Sequence, residues 1–276
     1  MLIVHNVLIG DVGNDDLIEA LRLNGIEPSE KSGMWFVIEM AEDNPKLPAL
    51  LDVARRYRAP LSYGSRFSSD ELNGAKFLWL RVPLSGRRYY PEPKAMFITK
   101  QITYDKSGAC PQCGLGERQV APFRLKAKPR WRKGEEVTQL YWVEDEFFAR
   151  PEFWESTLRP LGIKSRPVVY HKTGEPIENI VQLDIQDVVE LDMNDPRLLG
   201  ISTNTCPVCN QTRYNDIVRS FFPRPIDPKG HLFKSAQWFG EYRESYREIF
   251  VSQELYRILN RSKNIIFKPC LRAEGA

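Results

Sequence analysis

Three observations predict an α+β fold, a small α/β amino-terminal module followed by a strand-rich domain. Over residues 1–94, apolar residues at helical spacing alternate with short apolar runs of strand length. Past the Gly-, Pro- and charge-rich stretch SGRRYYPEPK at 85–94, which reads as a linker, strand-length runs dominate residues 95–276. Within that second part stand two short CxxC elements, CPQC at 110–113 and CPVC at 206–209.

The apolar run at 2–9 reads as the first strand, since it lacks the basic leader and small-residue cleavage site of a signal peptide. NDDLIEALRLNGI follows as a helix, with Leu17, Ile18 and Leu21 on one face and Gly25 as its stop. MWFVIEM is a strand, and NPKLPALLDVARRYRAP a second helix carrying Leu47, Leu50, Leu51 and Ala54 at helical spacing. AKFLWLRVPL is the strand that closes the module.

In the second part, AMFITKQITYD runs as a strand into the first CxxC, and ERQVAPFRLKAKPRW and EEVTQLYWV leave it as strands. EDEFFARPEFWESTLRPLGI reads as one helix, or two broken at Pro151. RPVVYH and ENIVQLDIQDVVEL are strands ahead of the second CxxC. Near the carboxy terminus Ser252 is placed as a helix N-cap, with Val251 before it set to staple onto Tyr256. Leu255, Ile258 and Leu259 form that helix's buried stripe, and NIIFKP returns as a strand. No tandem repeat or low-complexity segment occurs beyond the two CPxC elements.

At 42% hydrophobic residues the chain carries enough apolar surface for a substantial core. Lys and Arg number 39 against 36 Asp and Glu, a net charge of +3, so the total does not point to a phosphate-backbone partner. No apolar run reaches the roughly 18 to 20 residues that span a bilayer. With no secretory signal the reducing cytoplasm is the expected compartment, where CxxC pairs favour metal or redox chemistry over structural disulfides.

Zinc takes four ligands in a tetrahedron, and a CxxC turn lets two thiolates converge on one ion. Cys110, Cys113, Cys206 and Cys209 supply a full set. Proline after the first Cys of each pair, and Gly114 or Asn210 after the second, fit a tight turn, because Gly and Asn tolerate the left-handed backbone. The 92 residues from 114 to 205 far exceed the spacing of a compact zinc ribbon, about 15 to 20 residues. A structural clip joining two distant loops is therefore expected, and four thiolates leave no position at which the ion could activate water. The other reading is two unrelated pairs of buried or redox-active thiols. Cys270 is expected as a lone packed thiol.

His5, His171 and His231 fall in no HExxH or similar pattern, and there is no GxSxG, P-loop or GxGxxG after a strand. A non-enzyme is expected. The segment 123–133 carries Arg124, Lys126, Lys128, Arg130, Arg132 and Lys133 with Phe123 and Trp131 among them, a composition able to track and stack on a nucleic acid. Residues 175–195 are the reverse: Glu175, Glu178, Asp184, Asp187, Glu190, Asp192 and Asp195 occur with no Lys or Arg. The first five are the candidate partner-facing residues, a phosphate-like face for a basic protein. For both segments a solvated surface is the alternative.

From about residue 100 to its end the chain resembles the bacterial double-CXXCG motif family, whose members carry two such knuckles about a hundred residues apart and finish in a strand, helix, strand unit. CPQCG matches the first motif, and CPVCN departs at Asn210. LYWVEDEFFARPEFWESTLRPLGI, PIDPKGHLFKSAQWFGEYRESYREIFVSQELYRIL and IIFKP carry the rest of the likeness. The family is similar to immunity proteins of polymorphic toxin systems. The resemblance implies a protein that binds a cognate toxin and neutralises it by occlusion, with zinc as scaffold. It does not reach residues 1–94. A zinc-ribbon nucleic-acid-binding or regulatory protein using 123–133 is the alternative, and a dithiol redox protein a third possibility.

Overall fold

The computed structural model describes residues 1–10, 14–27, 30–32, 35–82, 87–90, 102–141, 143–198, 200–240 and 245–272. The fold is α+β, built as two compact units. One comprises Met1–Glu71 with the returning segment Ile217–Phe221, the other Leu72–Asp216 with Phe222–Ala276. Among the described residues, no helix is long and apolar enough to cross a membrane.

The first unit runs β1 (Leu2–Gly10), α1 (Asp15–Leu23), β2 (Glu30–Ser32), β3 (Trp35–Ala41), α2 (Leu47–Arg56) and β4 (Leu61–Arg66). Its sheet has the order β2-β3-β1-β4 with every neighbouring pair antiparallel. Each helix links two strands with a third between them, the split β-α-β arrangement of ferredoxin-like units. Val7 and Ile9 of β1 point to one face, where Leu17 and Leu21 of α1 and Leu47, Leu50, Val53 and Ala54 of α2 close the core. Helix α1 stops because Gly25 turns left-handed at φ 66° while its N–H donates to Arg22 O. The returning segment is tied to this unit by Ser65 Oγ, which donates to Val218 O at 2.9 Å, and by Arg219, whose guanidinium lies 5.2 Å over Tyr63 and pairs with Glu42.

The division between units falls within the short helix α3 (Ser69–Gly74), not at the expected 94/95 boundary. Strand β5 (Phe77–Arg81), expected to close the first module, belongs to the second unit's sheet. Leu78, Trp79 and Leu80 are all buried, so both faces of β5 are covered, as a continuous apolar run requires of a central strand. Of the expected linker, residues 85, 86 and 91–94 lie outside the described residues. Tyr89 is buried edge-on to Phe123, and Tyr90 N donates to Arg124 O at 2.7 Å, so 87–90 is packed chain and not a tether.

The second unit continues with β6 (Tyr104–Asp105), β7 (Arg118–Gln119), β8 (Arg124–Leu125), β9 (Val137–Thr138) and β10 (Phe148–Ala149). Helix α4 (Pro151–Phe153), β11 (Lys164–Tyr170), β12 (Pro176–Asp184) and β13 (Val188–Val189) follow. Then come β14 (Thr203–Thr205), β15 (Thr212–Tyr214), β16 (Leu232–Ser235), β17 (Trp238–Phe239), β18 (Ile249–Ser252), α5 (Gln253–Leu259) and β19 (Ile266–Pro269). Two five-stranded sheets, β8-β11-β12-β10-β9 and β13-β16-β18-β5-β19, carry the unit. Of the strand expected over 95–105, residues 95–101 lie outside the described residues.

The helix expected across 144–163 begins only at Pro151. Ahead of it, residues 148–149 form β10, and successive side chains diverge there, Phe147 into the core around β5 and Phe148 into the one around Phe123. Proline starts the helical stretch without losing a needed N–H, and the path tightens from a π turn at Trp154–Leu158 to a 3-10 turn ending at Gly162, φ 78°. At the carboxy end Ser252 Oγ accepts from Leu255 N at 3.2 Å, the cap the sequence placed. Val251 and Tyr256 share one core, and Tyr256 fills the buried stripe in place of the half-buried Ile258, edge-on to Phe267 at 4.9 Å.

Candidate metal centre

Both CxxC elements sit at the tips of antiparallel hairpins. Cys110 and Cys113 lie between β6 and β7, Cys206 and Cys209 between β14 and β15. The two turns repeat each other. Cys110 N donates to Leu115 O (2.8 Å) and Gly114 N to Cys110 O (2.8 Å), while Cys206 N donates to Gln211 O (3.0 Å) and Asn210 N to Cys206 O (2.9 Å). Both turns close on a left-handed residue, Gly114 at φ 76° and Asn210 at φ 56°. Asn at the second knuckle therefore keeps the geometry that Gly gives the first.

The hairpins bring the four sulfurs together, all within 4.8 Å of one another. Cys110 Sγ stands 3.9 Å from Cys206 Sγ, and Cys113 Sγ 3.5 Å from Cys209 Sγ. Those separations are well beyond a disulfide bond of about 2.05 Å, and all four are free thiols. They bracket the roughly 3.8 Å between sulfurs of a tetrahedron with metal–sulfur bonds of about 2.3 Å. The donor set thus fits a tetrahedral ion, and the four cysteines form one site, not two unrelated pairs.

Backbone donors support thiolates here. The Cys206 thiol is drawn down to about 6 by the N–H groups of Cys209 and Val208, and that of Cys110 is lowered by those of Cys113 and Gln112. Pro111 and Pro207, which carry no N–H, stand just before these donors. Burial pushes the Cys113 thiol up to about 12, against the pull of the Leu115 N–H. A bound cation would oppose that burial cost. Leu115 and Trp238 pack on the cluster, in which Cys113 and Cys206 are buried and Cys110 and Cys209 half-buried. Gly116, φ 106°, closes the first knuckle where a Cβ would lie 2.7 Å from Gly108 O. Cys270 stands apart from this site, a buried lone thiol whose acidity burial suppresses.

The five acidic candidates occupy unlike settings. Glu175 is exposed at the turn between β11 and β12 and makes no ion pair among the described residues. Glu178 pairs with Lys128, Asp184 with Arg166 at 2.6 Å, and Glu190 accepts from Gln237 Nε2 at 2.6 Å. The Asp187 carboxylate lies against Gly230. The basic segment 123–133 is engaged in part: Lys128 pairs with Glu178, while Lys126, Arg130, Arg132 and Lys133 are exposed. Phe123 is 0% exposed, and the guanidinium groups of Arg87 and Arg150 lie 4.9 and 5.3 Å from the centre of the half-buried Trp131 ring, whose Nε1 donates to Asn179 O. Phe123 therefore offers no free face for base stacking.

Sequence reasoning missed a buried ionic cluster beside the first knuckle. The Glu146 carboxylate accepts from Lys234 Nζ (2.6 Å), Gln182 Nε2 (3.0 Å) and Tyr104 Oη (3.3 Å). The three partners lie 36 to 88 positions from Glu146, so no local pattern marks them. The one hint was Lys234 within HLFKSAQW, a charge inside an otherwise apolar strand. Comparisons with protein-family models, curated proteins and solved structures find no match for this chain.

Proposed function

We propose that the chain is a cytoplasmic immunity protein that binds a cognate bacterial toxin and occludes its active site, with a structural zinc ion holding the binding unit in shape. The observation that carries this reading is the pair of matched knuckles converging on one tetrahedral set of thiolates. Zinc is the metal because four closed thiolates suit a d¹⁰ ion that neither changes redox state nor needs an open position. The step from zinc protein to toxin binder rests on the resemblance of residues 100–276 to the double-CXXCG family. Residues Cys110, Cys113, Cys206 and Cys209 are the ligands in this reading, and binding rather than turnover is the activity.

Co-expression with the product of the neighbouring gene tests the proposal. The expected outcome is rescue of growth from that product's toxicity, and co-purification of the two chains. A toxic neighbour that this chain neither rescues nor retains contradicts it.

A further inference from the structure

A cleft of about 770 Å³ opens beside the first knuckle, within the size range of small-ligand sites, about 300 to 1,000 Å³. One wall is the β6–β7 hairpin, from Tyr104 to Gly108 and from Gly116 to Gln119. The other is formed by the turn from β12 to β13 and by Lys234, Trp238 and Arg247, with Glu146 lining the cleft as well.

The carboxylates and cations of this lining are not equally engaged. Glu146 is held by Lys234, Tyr104 and Gln182, Asp184 by Arg166, Glu117 by Lys106 at 3.1 Å, and Asp105 by Ser107 at 2.9 Å. Arg247 differs. Its guanidinium lies 4.6 Å over the Trp238 ring, is half-buried, and makes no ion pair among the described residues. Burial lowers its pKa, and the charges of Asp145 and Glu190 reach it only through space. Arg118, exposed on β7 across from Asp105, is a second cation of the lining with no ion pair among the described residues. A guanidinium stacked by one face keeps its donor edge in plane and ready for a bidentate oxyanion.

We propose that this cleft binds a small oxyanion ligand, a phosphate or carboxylate compound, with Arg247 as its clamp and Arg118 at its rim. The clamp's position depends on the knuckles. Trp238 lies on β17, which pairs with β15 of the second knuckle hairpin, while the facing wall is the first knuckle hairpin. Joining the four cysteines therefore fixes the spacing of the two walls. This site goes beyond the toxin-binding reading and stands or falls separately from it.

The test is calorimetric titration of the full, metal-loaded chain with inorganic phosphate and, in a separate arm, succinate, at constant chloride. Saturable binding of at least one anion is expected, weakened by about tenfold or more in Arg247→Gln and left unchanged in Arg159→Gln. The arm that binds more tightly names the anion class. Should Arg247→Gln not fold, phenylglyoxal labelling of the wild-type chain decides: a saturating anion should protect Arg247 but not Arg159. Absence of saturable binding in both arms, equal binding by folded Arg247→Gln, or no protection of Arg247 overturns the proposal.

Discussion

At Glu248 a carboxyl group is buried beside the Trp79 indole, whose Nε1 donates to it at 2.7 Å. Burial raises its pKa from an ordinary 4.5 to about 7, against the stabilising charge of Arg81 and with the added repulsion of Asp216 and Glu144. From about pH 4.5 to 7 the folded chain holds a proton that the unfolded chain has released. This group's contribution to stability is therefore whole below about pH 4.5 and is lost as pH rises through 7. Glu248→Gln keeps an acceptor for Trp79 and removes the titration. Urea midpoints at pH 5 and pH 8 should show a wild-type loss of stability, on the order of 1 to 3 kcal/mol, that the variant lacks. Equal pH dependence in the two proteins contradicts the assignment. Nothing in the sequence marked Glu248, because the cluster is made by contacts such as Trp79, 169 positions away. Asn210 was legible, since its left-handed role follows from its own residue type and its place after a CxxC.

At the scale of elements, local signals survived where they stood alone. The Ser252 cap is a case: side chain, N3 donor and apolar stripe all lie within eight residues. Ser252→Ala should lower stability by about 1 kcal/mol in urea unfolding, since it leaves the Leu255 N–H without its acceptor. An unchanged midpoint would contradict that role. Strand β10 was not legible, because EDEFFARPEFW has the composition of a helix start and only pairing with β9 and β12 makes residues 148–149 extended. The placement of β5 failed for a related reason. FLWL announces a strand buried on both faces, but its partners β18 and β19 lie more than 160 positions downstream. The expected boundary followed the Gly- and Pro-rich stretch at 85–94, whereas the packing of the chain divides it inside α3.

At the scale of the whole molecule, the sequence made the four cysteines legible as one site because ligand type, turn chemistry and repetition agree at both knuckles. The cleft beside them was not legible, since its walls come from hairpins that meet only in the fold. The acidic run at 175–195 and the basic run at 123–133 looked like independent surfaces, yet Glu178 and Lys128 pair with each other and Asn179 Nδ2 donates to Pro129 O at 3.0 Å. Long-range pairing thus spends part of the charge that composition offers to a partner. On the proposed function a zinc ion joins the two knuckles and stabilises the second unit, because metal binding of this kind is coupled to folding. Elemental analysis of the full chain purified without chelator tests it most directly. About one zinc per folded chain is the predicted result, falling toward zero in Cys110→Ser together with a loss of several kcal/mol of stability. A folded wild-type chain that carries no metal, or iron in place of zinc, would contradict it.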